Sequence, residues 1–309
     1  MNHPPIRIAT RKSPLALWQA EYVAARLRAV VPERMIELVP LSTQGDRNLQ
    51  DSLANIGGKG LFVKELELAL AEDRAELAVH SMKDVPAELP QGFSIAAVLE
   101  REDPRDAFLS VHHASFQTLP AAARIGSSSL RRQCQLLYRR RDLTVLPLRG
   151  NVDTRLRKLA AGEFDAIILA VAGLKRLGMA DRITAILDPE TSLPAITQGV
   201  IGIECRTDDI AIRELVAPLN HAATWQRTQA ERALNQALSG SCVVPLAGYA
   251  ELQGEQLRLR GRVGMPDGSR MIEGEIRGPA VQAETLGRKL AEDMLARGAG
   301  EVLRHVAGR

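Results

Sequence analysis

The sequence predicts an α/β fold in which two similar α/β domains with mixed sheets face each other around a cleft, followed by a small C-terminal α+β domain. Its length of 309 residues exceeds the roughly 150 residues of an average domain. Short apolar runs alternate with stretches of helical periodicity through the first two thirds of the chain. Apolar strands between helices are typical of a parallel or mixed sheet that is covered on both faces.

The first domain is predicted to alternate strands and helices from the N-terminus. Ser13 is a good N-cap residue and Pro14 suits the first position of a helix. The polar stretch 42–60, with four glycines, is too long for an ordinary connection and indicates either a functional or a disordered loop. The sequence predicts helices at 14–30 and 61–72, and strands at 6–9, 37–41, 77–80 and 93–99.

Two segments are predicted to cross between the first and second domains. The charged segment 100–108 contains a proline and leads into the second domain, and the segment 191–199 returns to a strand at 200–204. The second domain is expected to contain strands at 124–125, 143–148 and 165–171, and helices at 152–161 and 172–177. The domains are therefore predicted to be residues 1–99 with 200–218, residues 105–193, and residues 221–309.

The last hundred residues have a different pattern. A helix is predicted at 222–238 and another from about 280 to 296. Three strands are expected between them, near 246–252, 256–264 and 269–276. These elements predict the small α+β domain.

Composition excludes several classes of protein and site. The aromatic content of 3% disfavours a stacking surface for single-stranded nucleic acid. Cys134, Cys205 and Cys242 are too few and too scattered for a disulfide framework or a zinc site. No apolar run reaches the about 18 residues of a membrane span, and the N-terminus lacks the apolar region of a signal peptide. We expect a reduced, cytoplasmic, monomeric protein without a metal, a membrane contact or a nucleic-acid partner.

Basic residues are concentrated in the middle third, where residues 101–200 carry 15 Lys and Arg against 10 Asp and Glu. Arginines stand at three predicted strand-to-helix turns, at 11–13, 127–132 and 148–155. Such turns lie at the carboxyl edge of an α/β sheet, and helix N-termini and guanidinium groups both bind anions. The turns predict a cleft for a molecule with several carboxylates or phosphates. Helix caps with solvated arginines remain the alternative.

Three further positions can carry chemistry. Asp84 follows the strand 77–80, and a carboxylate among cations can hold a cationic intermediate, although a structural ion pair fits it equally well. Cys242 lies in a loop of small residues, where a thiol near cations can act as a nucleophile, or be incidental. The glycines around Lys59 do not have the spacing of a phosphate loop, so that motif is not predicted there. Lys59 is expected instead on a flexible lid. Cys134 and Cys205 fall in apolar stripes and are predicted to lie in the core.

Taken together, these segments resemble the porphobilinogen deaminase (hydroxymethylbilane synthase) family. The resemblance covers nearly the whole chain in order. It is carried by TRKSPLALWQ (10–19), GGKGLFVKELE (57–67), AVHSMKDVP (78–86), EREDPRDAF (100–108), GSSSLRRQCQL (126–136), LRGNVDTRL (148–156), DAIILAVAGLKRLG (165–178), QGVIGIEC (198–205) and GSCVVPLAGYA (240–250).

The resemblance implies a transferase of porphyrin and heme biosynthesis whose first two domains are periplasmic-binding-protein-like. Such an enzyme condenses four porphobilinogen molecules head to tail on a covalent dipyrromethane cofactor, and releases ammonia and the linear tetrapyrrole hydroxymethylbilane. Asp84 is then the expected catalytic residue, and Cys242 carries the cofactor through a thioether. The cofactor and substrate are expected to contact Arg11, Ser13, Lys59, Ser81, Lys83, Ser127, Ser128, Ser129, Arg131, Arg132, Arg149, Arg155 and Arg176.

Two other functions remain open from the sequence. A non-enzymatic, hinge-closing anion-binding protein with two domains and an appended domain would have the same architecture. It would need neither an adduct on Cys242 nor a carboxylate at Asp84. Nucleic-acid binding through the basic middle third would be sensitive to salt, and the scarcity of aromatic residues counts against it.

Overall fold

The computed structural model describes residues 4–43, 62–238 and 244–307. The predicted loop at 42–60 therefore lies almost wholly outside the described residues. Contacts divide the chain into two compact units. The first unit comprises Met1–Glu102 and Val200–Trp225, and the second comprises Asp103–Gly199 and Gln226–Arg309. The finer division into three domains stays a prediction.

Strands and helices alternate along most of the described chain. In chain order they are β1 (Ile6–Arg11), α1 (Pro14–Val30), β2 (Ile36–Leu41), α2 (Lys64–Ala71), β3 (Leu77–Ser81), β4 (Phe93–Val98), β5 (Asp106–Leu109), β6 (Arg124–Gly126), α3 (Leu130–Arg139), β7 (Thr144–Leu146), α4 (Val152–Ala160), β8 (Ala166–Ala170), α5 (Val171–Arg176), β9 (Ala185–Leu187), β10 (Ile201–Arg206), α6 (Ile210–Val216), α7 (Ala222–Ala237), β11 (Leu246–Gln253), β12 (Gln256–Gly264), β13 (Met271–Pro279), α8 (Ala283–Ala296) and α9 (Ala299–Ala307).

The first unit contains a five-stranded sheet in the order β2-β1-β3-β10-β4. Strand β1 is parallel to β2 and β3, and β10 is antiparallel to both β3 and β4. Successive residues of β1 point to opposite faces, so that Ile8 packs with Val23 and Leu27 of α1 and Ala9 packs with Leu66 of α2. Both faces are covered, as the apolar strands predicted.

The second unit contains a five-stranded sheet of the same design, in the order β7-β6-β8-β5-β9. Strand β6 is parallel to β7 and β8, and β5 is antiparallel to β8 and β9. Ile167 of β8 packs with Leu156 of α4, and its neighbour Ile168 packs with Leu136 of α3. The two sheets share one order and one pattern of strand directions. The expectation of two similar α/β domains with mixed sheets is confirmed.

One element differs from its sequence-based expectation in kind. The charged segment 100–108 was expected to be a crossing, and the boundary between the two units falls within it, after Glu102. Its last three residues, however, begin β5 (Asp106–Leu109), a buried strand between β8 and β9. A charged residue is not expected at the start of a buried strand. Asp106 can be buried there because Arg131 and Arg132, on a helix distant in sequence, form ion pairs with its carboxylate. Strand β9 and helix α9 were not predicted.

The second unit also contains the predicted α+β part. Strands β11, β12 and β13 form an antiparallel sheet. Leu257 and Leu259 of β12 pack with Leu234 of α7, Leu290 of α8 and Val302 of α9. The α+β character expected for the C-terminal part is confirmed. None of the helices in the described ranges has both the length and the apolar character of a membrane span.

Candidate functional site

The parallel strands of the first unit end at one edge of the sheet. Arg11 is the last residue of β1 and Ser81 is the last residue of β3. Ser13 follows as the N-cap of α1, and its Oγ accepts a hydrogen bond of 3.3 Å from the Ala16 N–H. A short 3₁₀ turn, Met82–Asp84, follows β3 directly. The fold therefore places Arg11, Ser13, Ser81, Lys83 and Asp84 at one sheet edge.

Arg11 and Asp84 are brought together at this edge. Arg11 Nη1 lies 3.7 Å from Asp84 Oδ2, and the two side chains are 21% and 31% exposed. The Arg11 guanidinium also lies 4.1 Å from the centroid of the Phe62 ring, where a cation is attracted to the π-system. Lys83, between Met82 and Asp84, is half-buried. The pair presents a cation and a carboxylate side by side, both partly accessible.

Gln19 is a residue of this edge that the sequence analysis did not single out. It is buried on α1, its Nε2 donates to Ser81 Oγ at 2.8 Å, and the Ser81 hydroxyl makes a 3.1 Å contact with Gln19 Oε1. The Ser81 hydroxyl is therefore held by a neighbouring helix. The sequence feature that could have identified Gln19 is its position in the buried stripe of α1, whose other members are apolar.

His80 of β3 pairs with a carboxylate inside the first sheet. It is buried, and its Nε2 lies 2.6 Å from Oε2 of Glu204 on the neighbouring strand β10. Both side chains are almost inaccessible. The His80 Nε2 is therefore engaged inside the protein and is not presented to solvent.

The serine turn of the second unit follows β6 at the carboxyl edge of the second sheet. Ser127 Oγ accepts from the Ser129 N–H at 3.2 Å. Ser128 Oγ donates to Leu148 O and accepts from the Leu148 N–H, both at 3.0 Å. Ser129 caps α3 by accepting from the Arg132 N–H. All three hydroxyls thus shape the turn itself.

Arg131 and Arg132 are placed differently from the solvated pair that a serine cap alone would suggest. Both are buried, and their guanidinium groups bind the fully buried carboxylate of Asp106. Burial raises the pKa of Asp106, but the charges of the two arginines outweigh it and hold that pKa well below its usual value. The sequence analysis missed Asp106, because 25 residues separate it from Arg131. A ligand contact for these arginines stays a prediction.

The remaining arginines lie near the second sheet's carboxyl edge and are half-buried. Arg155 Nε donates to Gly150 O at 2.8 Å, and Arg176 Nη2 donates to Gly199 O at 2.7 Å. Arg149 immediately precedes Gly150, whose φ of 108° belongs to the left-handed region. Glycine is favoured there because it lacks a Cβ.

Two predicted site residues, Lys59 and Cys242, lie outside the described residues. The other cysteines are buried, which confirms the prediction that they belong to the core. Burial raises the pKa of Cys134 to about 12 and that of Cys205 to about 11, so neither is suited to act as a nucleophile. No group of three His, Cys, Asp or Glu side chains that could hold a metal ion occurs within 4–43, 62–238 and 244–307.

Two family models match the chain. The one described as "Porphobilinogen deaminase, dipyromethane cofactor binding domain" matches residues 6–214. The one described as "Porphobilinogen deaminase, C-terminal domain" matches residues 225–296. Together they span most of the sequence.

Solved structures with a similar arrangement include solute-binding proteins. A putative methionine-binding lipoprotein from Bacillus subtilis is 12% identical, with 71% of this chain and 90% of that chain covered and a TM-score of 0.45. A periplasmic substrate-binding protein of an ABC transporter from Coxiella burnetii is 13% identical, with 71% and 94% covered and a TM-score of 0.44.

Proposed function

The chain belongs to the porphobilinogen deaminase family, and on that premise we propose that it is a hydroxymethylbilane synthase. The reaction joins four porphobilinogen molecules head to tail, releases ammonia, and yields a linear tetrapyrrole for porphyrin synthesis. The family domains indicate a transferase, and the larger one is the dipyrromethane cofactor-binding domain. We further propose a cytoplasmic, monomeric enzyme that acts on porphobilinogen.

The residues at the two sheet edges suit the ligands of this reaction. Every pyrrole ring of the substrate and the cofactor carries an acetate and a propionate group, so the ligand is a polyanion. Guanidinium groups pair with carboxylates through two parallel hydrogen bonds, and hydroxyl groups add further donors. The set comprises Arg11, Ser13, Ser81 and Lys83 in the first unit, and Ser127, Ser128, Ser129, Arg131, Arg132, Arg149, Arg155 and Arg176 in the second, with Lys59 as a proposed further contact.

Asp84 is proposed as the catalytic residue. Loss of ammonia from porphobilinogen leaves a cationic ring system, which an adjacent carboxylate stabilises. The observation that carries this role is the Arg11–Asp84 pair at 3.7 Å with both groups partly exposed. Arg11 holds an acid arm of the ring, while Asp84 faces the ring N–H and assists proton transfer during deamination and coupling.

Cys242 is proposed to attach the cofactor through a thioether. The thiolate is a soft, strong nucleophile toward an electron-poor carbon. The burial of Cys134 and Cys205 supports this choice among the three cysteines of the chain. When bound, the dipyrromethane supplies the pyrrole carbon to which the first substrate ring is joined.

The role of Asp84 is tested with Asp84→Asn, which keeps the shape of the side chain and removes its charge. We expect kcat to fall by about 10²- to 10⁴-fold, the usual contribution of a proton-transferring group, while the thermal midpoint changes little. Asp73→Asn is the matched control, because Asp73 is an exposed partner of Arg206 in the same unit. Turnover of Asp84→Asn within twofold of the parent, at equal folded fraction, would remove Asp84 from this role.

A further inference from the structure

Asp106 is the centre of a buried polar cluster in the second unit. Its side chain is fully buried and accepts six hydrogen bonds. Arg131 donates at 2.8 and 3.1 Å, and Arg132 at 2.8 and 3.1 Å. Ser192 Oγ donates at 2.8 Å and Gln198 Nε2 at 3.0 Å. One carboxylate therefore joins β5, the start of α3 and the segment 191–199.

The backbone fixes the two guanidinium groups further. Arg131 Nη1 donates to Leu193 O at 2.7 Å, and Arg132 Nη1 donates to Ile168 O at 2.9 Å. The side chains are only 5% and 8% exposed. A guanidinium group has five N–H donors, and the described residues engage three on each arginine. Two of those three go to Asp106 on each arginine, so a further acceptor has to share each guanidinium group with that carboxylate.

The charges of the cluster do not balance. Within the part of the chain that the structure describes, Arg131 and Arg132 each pair with a carboxylate, and it is the same one, Asp106. The cluster therefore carries one excess positive charge where ions are shielded from water. Burying an uncompensated ion costs several kcal/mol. Among the described residues no second carboxylate pairs with the two arginines, and a bound anion would offset the excess charge.

Arg131 and Arg132 both stay charged, because a guanidinium group is not deprotonated in proteins, and Asp106 favours the charged form of the buried pair. Burial lowers the pKa of Arg132, and the charge of Asp106 opposes that effect. Asp106 itself remains an anion, because the arginines hold its pKa well below the usual value despite its burial. The carboxylate is thus permanently present beside any acid group that approaches the pair.

We propose that Asp106 is a positioning residue that competes with ligand carboxylates for the Arg131 and Arg132 guanidinium groups, and so limits how tightly the pair holds an acid group. The inference rests on the proposed function, in which pyrrole rings with acetate and propionate arms bind and later leave. Asp106 retakes the guanidinium donors when a ligand carboxylate departs. The pair binds an acid group with moderate affinity, because Asp106 leaves the cluster with a net charge of +1 rather than +2.

The test compares Asp106→Asn with its parent in the full chain, using succinate as the probe. The thermal midpoint is measured with succinate and with chloride at equal ionic strength, since a ligand of the folded state raises the midpoint. Both chains also carry Cys242→Ser, so that no cofactor is tethered. We expect a larger succinate-induced rise in Asp106→Asn than in the parent, because the cluster then carries two positive charges instead of one and attracts the dianion more strongly.

Asp165→Asn is the matched control. Asp165 pairs with Arg124 in the same unit, at the opposite edge of the same sheet. Its succinate response should equal that of the parent. If Asp106 had only a structural role, the Asp106→Asn substitution would lower the thermal midpoint by the same amount in succinate and in chloride. A succinate response in Asp106→Asn no larger than in the parent overturns the proposal.

A second variant covers the case in which Asp106→Asn does not fold. Ser192→Ala removes one hydrogen bond to the Asp106 carboxylate and leaves every charge in place. A weaker hold on Asp106 should enlarge the succinate response, and an unchanged response overturns the proposal. The measurement needs no turnover. If the chain with its native Cys242 makes no product, the proposed function fails while the succinate comparison still decides the role of Asp106.

Discussion

Glu67→Gln is expected to stabilise the protein above neutral pH. Glu67 lies on α2, which covers the sheet face containing the buried His80–Glu204 pair. Burial raises the pKa of Glu67 to about 7, and the nearby charge of Glu204 adds to this effect. Among the described residues, the buried Oε1 atoms of Glu67 and Glu204 have no hydrogen-bond partner. Above neutral pH, the charges of the Glu67 and Glu204 carboxylates therefore repel each other.

The sign and the size of the effect follow from proton linkage. The pKa of an unfolded Glu is about 4.5 and that of folded Glu67 is about 7, so the folded state binds more protons between these values. The free energy of unfolding of the protein must then fall as the pH rises from about 4.5 to about 7. The difference between the two pKa values corresponds to about 3 kcal/mol of unfolding free energy. Because Glu67 is partly exposed, solvent screening reduces this effect to roughly 1–2 kcal/mol.

Urea unfolding at about pH 4.5 and about pH 8 measures this effect. We expect Glu67→Gln to match the parent at the lower pH and to exceed its stability by roughly 1–2 kcal/mol at the higher pH. The control is Glu72→Gln at the end of the same helix, where Glu72 is exposed and pairs with Arg74. It should stay within about 0.5 kcal/mol of the parent at both values. An equal change at both pH values for Glu67→Gln would refute the reasoning.

Two glycine substitutions test the turns at the sheet edges. In Gly202→Ala the new Cβ would clash with the buried Met82 Sδ, so we expect a loss of about 1–3 kcal/mol and a lower kcat, because Met82 begins the turn that contains Asp84. An unchanged thermal midpoint and kcat would contradict this. In Gly150→Ala the Cβ would lie 2.7 Å from Thr154 Cγ2 at a φ of 108°, with an expected loss of about 1–3 kcal/mol. A variant as stable as the parent in urea would show that this turn relaxes freely.

Local signals were sufficient to predict most of the elements that position the site. Ser13 and Pro14 marked the start of α1 at the residue where the structure begins it. The apolar run before Ser81 marked β3, whose end leads to Asp84. These features depend on neighbours in sequence, such as a cap, a fixed φ or an alternating pattern.

The features that escaped prediction depend on partners far away in sequence. Strand β5 begins with Asp106, whose charge is compensated by arginines at the start of α3. Gln19 acquires its role only when α1 packs beside Ser81. Strand β9 is only three residues long, which is too short for periodicity to be recognised. Residue type alone does not reveal such pairings, because the fold creates them.

Intact-protein mass spectrometry with peptide mapping tests the central claim most directly. Freshly purified, active protein should carry the excess mass of two linked pyrroles, and that mass should map to the peptide containing Cys242. A bare thiol at Cys242 in protein that still makes hydroxymethylbilane would contradict the account.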